Sequence, residues 1–415
     1  FSGFATSIEA HKWVPTGAPA VAQLIDGLCG SDEYLTMALV ADRNEPARVP
    51  SHSIVLEELP CAVSIVGTQT PWLMPLKRIV PYGRMILQTI AVYRLARRTR
   101  ADILYIDRAN VVLGGLIARI TRIPVVLRVM GVTQGMRQEF KGLAFTHRLV
   151  RWAYRSPFAC VIASQDGSGS ETWLPKVLRP GVPLHVVLNG SDPPQPVDLP
   201  PDLACLPPAS LKVFYVGRIE DKNGWDTFVD AIGGAALSVP HLHAVVIGSG
   251  SLFDAMRKRA HQRGLSHQFT FAGAVALPQV QAALLKADLY VSVNRMGDLS
   301  NANMEAVRAG CACVFARPLV PEQTNFFDAL FPPDSILRSG PADDSEALAA
   351  SIAALAQDAN ERAQRATKTK EIGAANLPSW KARIDWEIGI LNAAARRDVA
   401  ALATPADQFP RAPIK

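Results

Sequence analysis

Short apolar runs rich in β-branched residues alternate with helical patterns along almost the whole chain, and this alternation limits the fold more than any other feature. The runs include "YLTMALVA" (34–41), "ADILYI" (101–106), "IPVVLRVM" (123–130), "FACVIAS" (158–164) and "LHVVLN" (184–189). Later come "LKVFYVG" (211–217), "LHAVVIG" (242–248), "QFTFAG" (268–273), "ADLYVSV" (287–293) and "CACVFA" (311–316). A short strand that is apolar throughout is buried on both faces. Between helices, it belongs to a parallel sheet covered on both sides. Two series of such βα units predict an α/β protein of two Rossmann-like, doubly wound parallel-sheet domains. A length of 415 residues suits two domains.

The proline-rich stretch "NGSDPPQPVDLPPDLACLPPAS" (189–210) interrupts the alternation and reads as a linker. The expected organisation is a first domain over 1–190, a linker over 191–210 and a second domain over 211–375, followed by a helix over 376–400 that crosses back to the first domain and a disordered tail over 401–415. Residues 345–375 carry Ala, Leu and Ile at helical spacing and predict one helix. The first domain lacks the buried strand that normally precedes a glycine turn such as the one at Gly17.

Hydrophobic residues make up 49% and charged residues 19%, which excludes a disordered chain. No apolar run reaches the roughly 18–20 residues of a membrane span. The start "FSGFATSIEA" has neither the basic nor the apolar region of a signal peptide. The six cysteines form no C-x-x-C pair and read as reduced thiols of a cytoplasmic protein. Residues 1–200 hold 21 Lys+Arg and 15 Asp+Glu, whereas residues 201–415 hold 22 of each, so the net charge of +6 sits on the first half. An anionic partner for that half follows.

In open α/β sheets, ligands bind at the carboxyl ends of the strands. Four such ends carry chemistry. In "FYVGRIEDKNGWDTFVDAI" (214–232), Gly217 lets backbone approach a ligand, while Arg218 and Lys222 present a guanidinium fork and a compact ammonium suited to phosphate. The alternative is surface pairing with Glu220 and Asp221. In "NRMGDLSNANMEAVRAGCACVFA" (294–316), Ser300 or Asn301 caps a helix whose first turns carry Glu305, placed to accept from a ribose diol or simply to suit the helix dipole. "VIGSGSLFDAM" (246–256) offers a glycine turn at Gly248 and Gly250. "FAGAV" (271–275) ends a strand in small residues that let backbone read a base edge.

Together, "GRIEDKNG" and "DLSNANMEAVRAG", with "IGSG" and "FAG" between them, resemble the C-terminal half of retaining GT-B glycosyltransferases of family 4, group 1. The resemblance is strong over about 185–390 and looser before it. It implies two Rossmann-like domains facing each other across a cleft. It also implies transfer of a sugar, with retention, from a nucleotide-sugar donor such as a UDP- or GDP-sugar to a glycan or lipid-linked acceptor, as in bacterial polysaccharide assembly. By the same resemblance, Arg218 and Lys222 hold the donor diphosphate and stabilise the charge that develops on it. Glu305 binds the ribose, and Ala272, Gly273, Ala274 and Val275 flank the base. Asp298 stands near the acidic position at the donor sugar, beside Leu299, Ser300 and Asn301. Gly17 faces the diphosphate from the first domain. The family's first acid is displaced here, because Gly297 lies eight residues before Glu305. Met130 stands where many relatives have a histidine, so either Arg128, Gln134 or another polar group serves, or this subgroup does without one. With no D-x-D motif in the chain, neither a metal nor a cofactor is expected.

Residues 71–100 mix Lys77, Arg78, Arg84, Arg94, Arg97, Arg98 and Arg100 with Trp72 and aliphatic side chains. That composition suits an anionic membrane surface and predicts a peripheral protein on the inner face of the plasma membrane. No module for nucleic acid accompanies the charge. The rival reading is a non-catalytic sugar-nucleotide-binding or membrane-surface scaffold of the same fold.

Overall fold

The computed structural model describes residues 8–9, 12–13, 19–30, 35–40, 52–54, 62–66, 80–320 and 326–404. They fall into two compact units. The first takes in the described residues up to Ser164, Trp173–Val187 and those from Trp380 onward; the second comprises Gln165–Thr172 and the described residues of Leu188–Ser379.

The second unit is built on six parallel strands. In chain order they are Leu211–Val216, Leu242–Ile247, Phe269–Gly273, Leu289–Ser292, Cys313–Arg317 and Leu337–Pro341. In space they run third, second, first, fourth, fifth, sixth. Successive side chains alternate between two cores. Val213, Tyr215, Ala244, Val246 and Val291 pack on one side. Phe214, Val245, Ile247, Tyr290 and Phe315 pack on the other. Helices therefore cover both faces, as the unbroken apolar runs require.

Two expectations are refined here. Within the stretch read as a linker, Pro201–Ala204 forms a short helix, and Leu203 and Leu206 are buried in the second unit's core. The predicted helix over 345–375 is two helices, Ser345–Gln357 and Ala359–Asn376. The break is at Asp358, whose side chain accepts from the backbone of Asn360 and Glu361 at 3.0 and 2.8 Å and so starts a new helix.

In the first unit, Leu104–Asp107, Val125–Val129, Cys160–Ser164 and Leu184–Val187 pair in parallel in chain order. A separate sheet pairs Thr36–Val40 in parallel with Ala62–Val66, and His52–Ile54 joins it antiparallel. That unit is thus not wholly parallel, as the alternation had suggested. Before the helix Pro19–Cys29 lies an antiparallel pair, Ile8–Glu9 with Lys12–Trp13. Gly17 and residues 67–79 and 405–415 lie outside the described residues.

Val125, Leu127, Val129, Val161 and Ala163 face one core of the first unit. On the opposite face of the same strands, Arg128 meets Glu387 of the helix Trp380–Arg396.

Candidate functional site

The strand order of the second unit reverses direction between the first strand, Leu211–Val216, and the fourth, Leu289–Ser292. Chain leaving neighbouring strands at such a switch point diverges and opens a crevice at their carboxyl ends. The segment after the first strand carries Gly217, Arg218 and Lys222, and the segment after the fourth carries Asn294 to Asn301. The two sequence elements that seemed richest in chemistry therefore meet at the point where topology opens a ligand site.

Gly217 has φ 154° and donates its N–H to Ile247 O at 3.0 Å. Gly248 has φ 135° and donates to Gly273 O at 2.7 Å. The ends of the first three strands are thus tied side by side, bringing Gly217, Gly248 and Gly273 to one edge. A Cβ on Gly248 would lie 2.0 Å from Gly217 O, and one on Gly250 would lie 2.5 Å from Ile219 O. Only glycine fits at either position. Gly248→Ala is expected to cost about 2 kcal/mol or more, since both a left-handed φ and a backbone clash oppose it. A urea unfolding curve that matches wild type would refute this account of the turn.

Arg218 and Lys222 are both exposed, and among the described residues neither makes an ion pair or a side-chain hydrogen bond. The acids nearby are engaged elsewhere. Glu220 accepts from the Ser251 N–H at 3.1 Å and hydroxyl at 2.8 Å. These two bonds hold its carboxyl below the usual range, with Arg218 and Lys222 adding to the effect. Asp226 accepts from Arg295 Nη2 at 2.7 Å. Arg295 also donates from Nη1 to Asp221 O at 2.8 Å and from its backbone N–H to Lys222 O at 2.8 Å. Among the described residues, neither Glu220 nor Asp221, the alternative partners of the two cations, forms an ion pair with them. Arg295 fixes the loop instead, a role its sequence position gave no hint of.

On the second side, Ser300 caps the helix Asn301–Ala309 and accepts from Asn303 N at 3.3 Å. Asn303 in turn donates to Asp298 O at 2.8 Å and accepts from the Tyr290 hydroxyl at 2.8 Å. Asp298 is only 7% exposed, and its Oδ2 accepts from Arg338 Nη2 at 2.6 Å. Burial raises the Asp298 carboxyl while Arg338 pulls it down, leaving it above the ordinary value. Arg338 lies over the Phe327 ring at 3.6 Å, which fixes its plane. The segment Gln165–Thr172 supports this loop from below. Asp166 O accepts from Leu299 N at 3.1 Å, and a Cβ on Gly167 would lie 2.3 Å from Asp298 Oδ1. Burial pushes the Asp166 carboxyl up to about 6 against two bonds from Ser168.

Glu305 is 3% exposed and accepts from Gln281 Nε2 at 2.6 Å. Gln281 lies on the helix Leu277–Leu284, which follows the Ala272–Val275 strand end. Burial pushes the Glu305 carboxyl up to about 7, only partly offset by Gln281. The folded state then binds a proton more tightly than the unfolded one. This group's contribution to stability is full below the ordinary value of 4.5 and declines as pH rises to about 7. Glu305→Gln should remove that slope. Urea midpoints of wild type and variant at about pH 5 and about pH 7.5 check it, and parallel profiles would contradict the assignment.

In the first unit, Met130 is 42% exposed, whereas Arg128 is 1% exposed. Arg128 donates to Ser164 Oγ at 3.0 Å and lies 3.8 Å from Glu387, so it belongs to a buried cluster and does not replace a histidine at the surface. Gln134, the first residue of the helix Gln134–Lys141, is exposed. Among the described residues, no group of three or more His, Cys, Asp or Glu side chains is placed to hold a metal.

A doubly wound sheet with unpaired cations at its switch point defines an α/β domain built to hold an anionic ligand. Residues 206–372 match the family model for glycosyl transferases group 1. Over those residues the chain is similar to that group, and it has the GT-B fold. It is 29% identical over 98 residues to a 2-deoxystreptamine N-acetyl-D-glucosaminyltransferase of Niallia circulans, covering 24% of this chain and 25% of the relative. The match thus spans about a quarter of that relative's length. Sucrose-phosphate synthase from Thermosynechococcus elongatus superposes with a TM-score of 0.68 at 16% identity, covering 94% of this chain and 95% of that one. The Anabaena protein HepE, in complex with UDP-glucose, gives a TM-score of 0.64 at 18% identity over 90% and 95% of the two chains.

Proposed function

We propose that the protein transfers a sugar from a nucleotide-sugar donor to a glycan or lipid-linked acceptor, with retention of anomeric configuration and without a metal. The observation that carries this is the pair of exposed cations at the switch point, Arg218 and Lys222, which have no ion pair or side-chain hydrogen bond among the described residues. A nucleoside diphosphate supplies the missing negative charge. As the bond to the sugar breaks, charge grows on the departing diphosphate, and donors already in place stabilise it. In this reading Glu305 binds the ribose, while Ala272 to Val275 flank the base. Gly217, Gly248 and Gly250 bring backbone close to the phosphates, with Leu299 to Asn301 opposite them. Asp298 is the acid nearest the donor sugar, and Arg338 holds its orientation. Gly17 is assigned the phosphate-facing turn of the first domain. A peripheral location on an inner membrane face, with residues 71–100 as one contact, belongs to the same proposal.

The test is a thermal-shift panel of UDP, GDP, ADP and dTDP on wild type and Arg218→Ala, followed by turnover of the matching nucleotide sugars. Stabilisation by one nucleotide, lost in the variant, supports the donor site. Binding without consumption of the sugar would favour the scaffold reading.

A further inference from the structure

Between Asp107 and Asp166 the chain has a single acid, Glu139, and Arg108 pairs with it at 2.7 Å. The rest of that segment's charge is positive. Its helix Phe145–Tyr154 packs against the helices Val111–Ile120 and Gln134–Lys141 with one face and turns the other outward. The outward face carries Phe145, Arg148, Trp152 and Arg155, all exposed and spaced at three to four residues. Just before it, Leu143 is 91% exposed and Phe145 64%. Lys141 flanks them and is exposed too.

This apolar turn is built in place. Arg151 Nη1 donates to Phe140 O at 2.8 Å and to Gly142 O at 2.6 Å, clamping the chain that leads into Leu143. The Arg119 guanidinium stacks on the Trp152 ring at 4.4 Å and donates to Trp152 O and Arg155 O at 3.2 and 2.9 Å. Water is a poor environment for a fixed Leu–Phe pair, and a ring of cations is a poor neighbour for another basic protein.

We propose that this face, Lys141 to Arg155, is a membrane-docking surface that inserts Leu143 and Phe145 among the headgroups of an anionic bilayer while Arg148, Arg155 and Lys141 meet the lipid phosphates. Charge complementarity selects this occupant: apolar side chains ringed by cations, with no exposed acid among them, match an interface that is apolar below and negative above. The test reads vesicle binding and not sugar transfer, so it does not depend on transferase activity.

The experiment is vesicle co-sedimentation of the full chain with phosphatidylcholine alone and with about 30% phosphatidylglycerol added. Wild type should partition onto the anionic vesicles only, and less so at high salt. Leu143→Ser/Phe145→Ser and Arg148→Glu/Arg155→Glu should each lower partitioning by about tenfold or more with unchanged circular dichroism. Hydrogen exchange on wild type, with and without vesicles, should show protection over 141–155 and serves even where a variant misfolds. Several results would overturn the proposal: no wild-type binding, equal binding by both variants, or no protection over 141–155. So would heparin binding that needs the arginines but not Leu143 and Phe145, or a wild-type oligomer that Leu143→Ser/Phe145→Ser dissociates.

Discussion

Arg218→Ala should lower sugar-nucleotide turnover about 100-fold, and Lys222→Ala should do nearly as much, while neither changes the melting temperature by more than a degree or two. The two halves of this expectation have one cause. Each cation is exposed and has no side-chain partner among the described residues, so removing it breaks no contact seen there. In the proposed reaction each faces charge that grows only as the donor bond breaks, so its loss is felt in the transition state. A single preorganised donor to such a charge is worth about 3 kcal/mol, enough for the stated factor. Arg218→Lys should recover little, because an ammonium cannot make the paired, planar contact of a guanidinium with phosphate. Arg295→Ala makes a useful contrast. Its side chain holds Asp221 O and the Asp226 carboxylate, so its loss should lower turnover and stability together. Near-wild-type turnover in both Arg218→Ala and Lys222→Ala would remove the basis of the donor site.

What was legible in the sequence followed from local pattern. Parallel strands buried on both faces leave unbroken apolar runs, and a glycine at a strand end is visible without any neighbour. That is why five strands of the six-stranded sheet and the Gly217 turn were predictable, whereas Leu337–Pro341, which has no unbroken apolar run, was not. The rest depended on groups that local pattern does not connect. Arg338 lies 40 residues from the loop residue Asp298, on the sixth strand, so the pair that fixes the acidic loop had no sequence signature. Asp358 inside a helical pattern looks like any solvent-facing acid, yet two backbone N–H groups make it a cap. Leu203 and Leu206 carried a usable signal, a three-residue spacing beside Pro201 that fits one helical turn. Proline content outweighed it. Arg128, one of several groups that could stand in for the family histidine, sits near a strand end, where a charge suggests a site. Its place between Leu127 and Val129, on a strand buried throughout, pointed to a partner inside the fold.

That partner sets up the second large effect. Glu387, on the helix Trp380–Arg396, accepts from the Tyr105 hydroxyl at 2.5 Å and pairs with Arg383 at 2.6 Å and with Arg128 at 3.8 Å. All three charged side chains are 1% exposed. Two buried guanidinium groups thus share one carboxylate. Glu387→Gln keeps the shape and removes the only negative charge of the trio. It should destabilise the first unit by about 3–5 kcal/mol, the usual cost of removing one partner from a buried ion pair. Burial by itself would raise the Glu387 carboxyl, but Arg383 and Arg128 outweigh it and hold the group below its ordinary value. A depressed carboxyl stabilises the fold above its unfolded value of 4.5 and loses that contribution as pH falls through the folded value. Wild type should therefore lose stability on acidification below 4.5, and Glu387→Gln should lack this group's share of the loss. Urea unfolding at neutral and acid pH measures both. A variant within about 1 kcal/mol of wild type at neutral pH would mean that the cluster carries little of the unit's stability, and that hydrophobic packing alone holds the helix to the sheet.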